Sequence, residues 1–441
     1  MTKEEIRSRR AFYSDHLTEV ILPYWLPKID HKHGGFFTCY DPTGRELVST
    51  DKYVWSQGRC TWMYSKLAHC ESVNMPYAMR EACTKRAEMG ARYLMEHCFL
   101  PNGMCAFRLS GDNKPLELTT GSGYGVSNFA DCFVALGLSA AGVLLGQIEL
   151  VQKASELFHK TLHLLSCGQF RTAPDVLPNG WRSHASVMIM VNTGDELSRA
   201  LRTSGLEKEA IEIDKAIVQM MEDICLHFIS PTGIVHECLT ADNGLLESLY
   251  GRHINPGHTN ESMWFLIRAG QRLGRLDVVE KAIHTIRCTS SLAWDTEYGG
   301  MMYYLDREGG KPRGEYAPEE AALAEAAVRD WSNKLWWPHT ETIYANLLCY
   351  AQTGERKFLE SYQRYHNYTF DTFPNPDKTV GEWIQLRYRD GSPNLGIIGG
   401  RLPVKDPYHI TRNLMLLTDL LEDIELSLIH ISEPTRLDVI S

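Results

Sequence analysis

The sequence predicts an all-α fold: a closed toroid of about six helix pairs with short β-hairpins in the connecting loops. Three observations carry this. Long runs with 3.6-residue periodicity fill most of the chain. Gly-rich or Pro-Gly turns flanked by short polar and aromatic stretches recur between them, every ~60–80 residues. No Pro/Ser-rich linker or low-complexity tract interrupts residues 1–425, so one ring accounts for the chain without a domain boundary.

In chain order, the turns are "HGGFFTCYDPTG" (33–44), "LPNGMCAFRLSGDNKP" (100–115), "LPNGWRSHAS" (177–186), "SPTGIVHECLTADNG" (230–244), "EYGGMMYYLDREGG" (297–310) and "GEWIQLRYRDGS" (381–392). The first and fifth are close cousins, "DHKHGGFFTCYDPTG" against "DTEYGGMMYYLDREG". Between them, "EACTKRAEMGARYLMEHCF", "IELVQKASELFHKTLHLLS", "DELSRALRTSG" and "KEAIEIDKAIVQMMEDICLHF" repeat apolar residues at helical spacing. "CFVALGLSAAGVLLGQI" (132–148) falls short of a membrane span and reads as a buried inner helix. "TRNLMLLTDLLEDIE" closes a single domain at residue 425. Residues 426–441, "LSLIHISEPTRLDVIS", contain a stretch that resembles a translated sequencing adapter, and they are read as a non-native tail.

Composition excludes several classes. The net charge is −10 with no Lys/Arg block, which argues against a nucleic-acid partner. The charged N-terminus lacks a secretory core, and no run is long enough for a membrane. The 12 cysteines contain no C-x-x-C pair, so zinc ribbons and redox dithiols are not expected, and a reduced cytoplasmic protein is. No H-E-x-x-H, P-loop or strand-linked G-x-G-x-x-G appears, so neither a metal nor a cofactor is expected.

Four segments place polar groups at the start of an apolar helix. In "DKYVWSQGRCTWMY", Arg59 has Trp55 one turn before it and Trp62 one turn after. A guanidinium between indoles suits a planar or anionic oxygen; the alternative is a structural arginine on helix carbonyls. In "NPGHTNES", His258 and Glu261 share a face of the first turn. There the helix dipole favours a neutral imidazole base. The structural alternative is a cap, with Thr259 or Asn260 as N-cap. In "NKLWWPHTETIY", Pro338 suits a first turn and Glu341 follows two tryptophans, as in sugar pockets and in plain cores. In "VKDPYHITRN", His409 follows a proline and Arg412 lies one turn on. In a toroid the inner helices run the same way, so their N-termini converge at one mouth. His184 and Asn192, in "SHASVMIMVNTGDEL", are read either as reaching that mouth or as structural.

Two bases on opposite faces invert a stereocentre: one takes a proton and the other supplies one. Such chemistry needs a C–H beside a carbonyl and a fixed donor for the enolate oxygen. The expected reaction is cofactor-free proton transfer on a ring-opened sugar. The motifs "HGGFFTC", "KYVWSQGRCTWMY", "NPGHTNESMWFL", "KLWWPHTE" and "YTFDTFPNPDKTVGEW…GG…K…YH…R" resemble those of the N-acylglucosamine 2-epimerases, which include the renin-binding proteins, over about 1–425. The resemblance implies an (α/α)6 barrel, a homodimer, and interconversion of N-acetyl-D-glucosamine and N-acetyl-D-mannosamine, with ATP as a non-consumed activator. It implies His258 and His409 as the acid/base pair, Arg59 on the substrate oxygen, and Glu261 and Glu341 supporting ring opening or orienting the histidines. "YHITR" stands where the family reads "FHVPR", a tyrosine version shared with cellobiose 2-epimerases, but Val404 stands where those relatives carry a tryptophan. The alternative substrates are therefore unacetylated mannose or glucose, by epimerisation or aldose–ketose isomerisation, and cellobiose. A glycoside hydrolase built on Glu261 and Glu341 would leave the two histidines without a task. A pure protein binder would leave the whole set without one.

Overall fold

The computed structural model of the chain describes residues 1–396, 402–405 and 407–432. The tail assigned from residue 426 lies partly outside these: the last helix continues to Ser432, and residues 433–441 are not among the described ones.

Among the described residues, twelve helices of 13 residues or more make six pairs. They are α1 (Lys3–Asp15), α2 (Val54–His69), α3 (Tyr77–His97), α4 (Asn128–Leu145), α5 (Ile148–Ser166) and α6 (His184–Thr203). Then follow α7 (Glu207–Asp223), α8 (Pro256–Leu273), α9 (Leu276–Leu292), α10 (Trp336–Thr353), α11 (Arg356–Thr372) and α12 (Tyr408–Ser432). The even-numbered helices pack in a closed ring, α2 on α4, α6, α8, α10, α12 and back to α2. Burial separates the two layers. In α8, 13 of 18 residues are buried; in its outer partner α9, 7 of 17 are. The apolar run at 132–148 is accordingly the buried inner helix α4.

Small residues bring inner helices together. A Cβ on Gly58 of α2 would lie 2.3 Å from the Phe133 carbonyl oxygen of α4. Only glycine permits that approach, and the approach places Arg59 beside Phe133.

The connections supply the rim of the barrel. Strands Lys52–Tyr53, Trp181–Ser183, His253–Ile254 and Lys334–Leu335 run into α2, α6, α8 and α10. Each pairs antiparallel with a strand of the next connection: Arg108–Leu109, Cys238–Thr240, Leu305–Asp306 and Leu386–Arg387. The expected hairpins within a connection also occur, as 108–109 with 115–116 and as single bridges such as Ile29↔Phe36. The two cousin turns fold alike. Asp30 and Asp295 each close a Gly-Gly turn with backbone bonds to Gly35 and Gly300, and each binds a buried lysine, Lys52 or Lys334, two residues ahead of an inner helix.

Candidate active site

The first turns of all six inner helices open onto one cavity of about 370 Å³. Its lining includes Trp55 and Arg59 (α2), Phe129 and Phe133 (α4), Ala185, Met188 and Ile189 (α6), His258 and Glu261 (α8), Trp336 and Trp337 (α10) and His409 (α12). The convergence expected from helix direction is therefore present, for every predicted site residue except Glu341, which is fully buried beneath the lining.

His258 is delivered by a proper helix start, though not the one expected. Asn255, not Thr259 or Asn260, is the N-cap, and its side chain accepts from the N–H groups of Gly257 and His258. A Cβ on Gly257 would meet Pro338 and Trp337 at 2.8 Å, so this glycine lets α8 lean on the start of α10. His258 Nδ1 lies 3.0 Å from Glu237 Oε2, which leaves Nε2 for the cavity. Burial disfavours the charged ring, but the charge of Glu237 and its hydrogen bond outweigh this and raise the imidazole above its ordinary value. That corrects the expectation of a ring held neutral by the helix dipole: a carboxylate in contact acts more strongly than a screened helix end. Burial pushes the Glu237 carboxyl up, yet His258 and His184 bring it well below the usual range.

His409 is held by a different arrangement. Its Nδ1 lies 2.8 Å from Glu341 Oε1. The same oxygen accepts from Arg412 Nη2 at 2.6 Å and from Asn413 Nδ2 at 2.7 Å, and Oε2 accepts from Trp264 Nε1 at 2.8 Å. Arg412 Nη2 also donates to Glu261 Oε1. Both Glu341 oxygens are thus engaged, which suits orienting His409. Glu261 reaches the cavity; Glu341 does not. Glu261, Glu341 and His409 are close enough to hold a metal ion, but the Arg412 guanidinium already bonds both carboxylates there. Trp337 spans the arms: both imidazoles lie 5.3 Å from its ring, tilted by 35° and 36°.

Arg59 is not between two indoles. Its guanidinium carbon lies 4.1 Å from the Phe133 ring centre, 5.1 Å from Tyr408 and 5.8 Å from Trp55. Trp62 turns away, its Nε1 donating to Glu196 at 3.3 Å. His184 is fully buried beneath the cavity with Nε2 3.0 Å from Ser262 Oγ, and Asn192 is buried in mid-helix off the lining. Sequence reasoning missed Glu237 and the charge role of Arg412; of its two readings for the tryptophans before Glu341, pocket and core, Trp337 takes the pocket. The one signal for Glu237 was a charged residue inside the alternating apolar stretch "GIVHECL".

The profile of the family described as N-acylglucosamine 2-epimerase (GlcNAc 2-epimerase) matches residues 35–412. N-acylglucosamine 2-epimerase of Mus musculus is 27% identical over 433 residues, covering 95% of this chain and 92% of that one. Cellobiose 2-epimerase of Bacteroides fragilis is 24% identical over 396 residues, covering 86% and 91%. Among solved structures, cellobiose 2-epimerase from Bacillus thermoamylovorans B4167 superposes with a TM-score of 0.75 at 15% identity, covering 94% of this chain and 99% of that one, so the (α/α)6 ring is shared.

Proposed function

We propose that this chain, which belongs to the N-acylglucosamine 2-epimerase family, interconverts N-acetyl-D-glucosamine and N-acetyl-D-mannosamine. The sugar reacts in its ring-opened form, where the aldehyde at C1 acidifies the C2 proton. One imidazole removes that proton, the electron pair moves into the C1–C2 bond, and the developing enolate oxygen is stabilised by Arg59. The other imidazole returns a proton to the opposite face of C2. Glu261, on the lining, assists ring opening; Glu341 orients His409. The observation that carries this reading is a pair of imidazoles on one cavity, each bound at Nδ1 by a buried carboxylate.

The lining supports an N-acylated substrate. Ala185, Met188, Ile189, Phe129 and Phe133 form an apolar stretch of wall, which suits an acetyl methyl better than a bare hydroxyl. The indole N–H groups of Trp55 and Trp336, two lining residues, are buried and lack a hydrogen-bond partner among the described residues. The same reading takes the reaction as free of cofactor and metal, ATP as an activator, the enzyme as a cytoplasmic homodimer, and residues 426–441 as dispensable. Incubating the protein with N-acetyl-D-mannosamine in deuterated water should give N-acetyl-D-glucosamine labelled at C2. Labelled conversion of mannose or cellobiose without conversion of the acetylated sugar would move the proposal to those substrates, and no C2 label in any of them would sink it.

A further inference from the structure

We infer that Glu237 is a positioning residue for His258, and that His184 and Ser262 complete a buried chain behind it. The inference rests on reading His258 as an acid/base group and extends that machinery one layer inward.

The geometry is a closed circuit. Glu237 immediately precedes the strand Cys238–Thr240, and its backbone carbonyl accepts from His184 N–H at 3.0 Å. The strand pairing with Trp181–Ser183 therefore fixes where its side chain begins. Oε2 takes His258 Nδ1 at 3.0 Å. Oε1 faces His184 Nδ1 at 3.7 Å, and both of these buried atoms lack a hydrogen-bond partner among the described residues. His184 Nε2 lies 3.0 Å from Ser262 Oγ, and Ser262 stands one turn beyond His258 on α8. The chain thus leaves α8 at His258 and returns to it at Ser262.

The titratable groups facing Glu237 are His258, His184 and His253, with Tyr250, Tyr303 and Cys238 beyond. A buried carboxylate needs a compensating charge, and the imidazolium of His258 supplies it. Glu341 in the other arm has a permanent guanidinium for that purpose. The two histidines are therefore held by carboxylates with different company, Glu237 beside imidazoles and Glu341 beside a guanidinium that Glu261 shares. The short move that would bring His184 Nδ1–H onto Glu237 Oε1 gives the carboxylate a second donor when His258 gives its proton to C2.

The test uses the full chain with ring-labelled histidine, followed by NMR without substrate, the His258 signal being assigned by its loss in His258→Asn. In Glu237→Gln the His258 midpoint should fall by about one pH unit or more, the size of effect expected from an adjacent opposite charge. Glu237→Asp keeps the charge and should restore part of that shift; Ser262→Ala should produce a smaller fall. In parallel, kcat of Glu237→Gln should drop at least about 10-fold with little change in KM. The alkaline limb of its pH profile should move down with the NMR midpoint. A His258 midpoint unmoved in Glu237→Gln and Glu237→Asp overturns the inference. Wild-type protein that exchanges no C2 proton overturns the epimerase reading alone, because the titration is read without sugar.

Discussion

The two histidine arms share a plan and differ in charge. Each imidazole gives Nδ1 to a buried carboxylate and lies 5.3 Å from the Trp337 ring. On one side Glu237 is paired with the imidazoles of His258 and His184. On the other, Glu341 shares its oxygens with Arg412, Asn413 and Trp264, and Glu261 shares the same guanidinium. The same Nδ1–carboxylate contact is thus built with different neighbours on the two sides. The arms should therefore break differently.

The largest effects are expected at the histidines themselves. His258→Asn and His409→Asn should each lower net epimerisation by about 10²–10⁴-fold, the usual worth of a general acid or base. One variant should still wash deuterium into the gluco epimer and the other into the manno epimer, because each keeps the base on one face. Full epimerisation surviving in either variant would end the two-base scheme. Next comes Arg412→Leu, which takes from the buried Glu261 and Glu341 carboxylates the guanidinium they share. Unfolding in urea should show a loss of about 3–5 kcal/mol. A variant as stable as wild type would mean that the His409 arm does not depend on its guanidinium. If Arg59 holds the enolate oxygen as proposed, Arg59→Lys should lower exchange of both epimers alike, by about 10²-fold; a loss confined to one epimer would assign it to one arm.

A pH series of melting temperatures separates the arms without substrate. His258 has a raised folded value, so its contribution is full below the ordinary histidine pKa of about 6.5 and fades as pH rises through the folded value. Glu237 is depressed, so its share is present above the ordinary glutamate range and fades as pH falls through its folded value. The gap in melting temperature between wild type and His258→Asn should therefore be widest near pH 6 and narrow towards pH 9; a constant gap would remove Glu237 from the account. The smallest effect is at Asn255. Asn255→Ala removes the cap that accepts from His258 N–H and should cost about 0.5–2 kcal/mol, while leaving deuterium exchange by the His409 arm unchanged. Equal losses on both arms would show that the cap serves the whole ring.

The ring and its convergent mouth were legible because long periodic helices and recurrent Gly turns are local signals. The stretch "SHASVMIMVNTGDEL" was not assignable, since its polar residues Asn192, Thr193 and Asp195 are buried and leave no solvent-facing stripe. His258, His409, Arg59 and Glu261 were legible because proline, helix start and neighbours lie close in sequence. Glu237 was not: it stands in the connection that leads into α8, and its place there is set by a strand pairing that no local pattern announces. The indole sandwich around Arg59 failed because Trp62, one turn on, is drawn to Glu196 of another helix.

The ring order has a consequence for a chain made from one end. Arg59 belongs to the first inner helix and His409 to the last, and α1 is pinned to α12 by Arg7–Glu425 and Arg10–Glu422. Only a fragment that runs from α2 to α12 therefore carries both Arg59 and His409. A nascent chain, which folds from its N-terminus as it emerges, has no competent site until α12 has been synthesised and docked. Sugar bound across Arg59 and His409 would then act as a clasp on the finished circle, and its affinity would report circle closure rather than the order of any one helix.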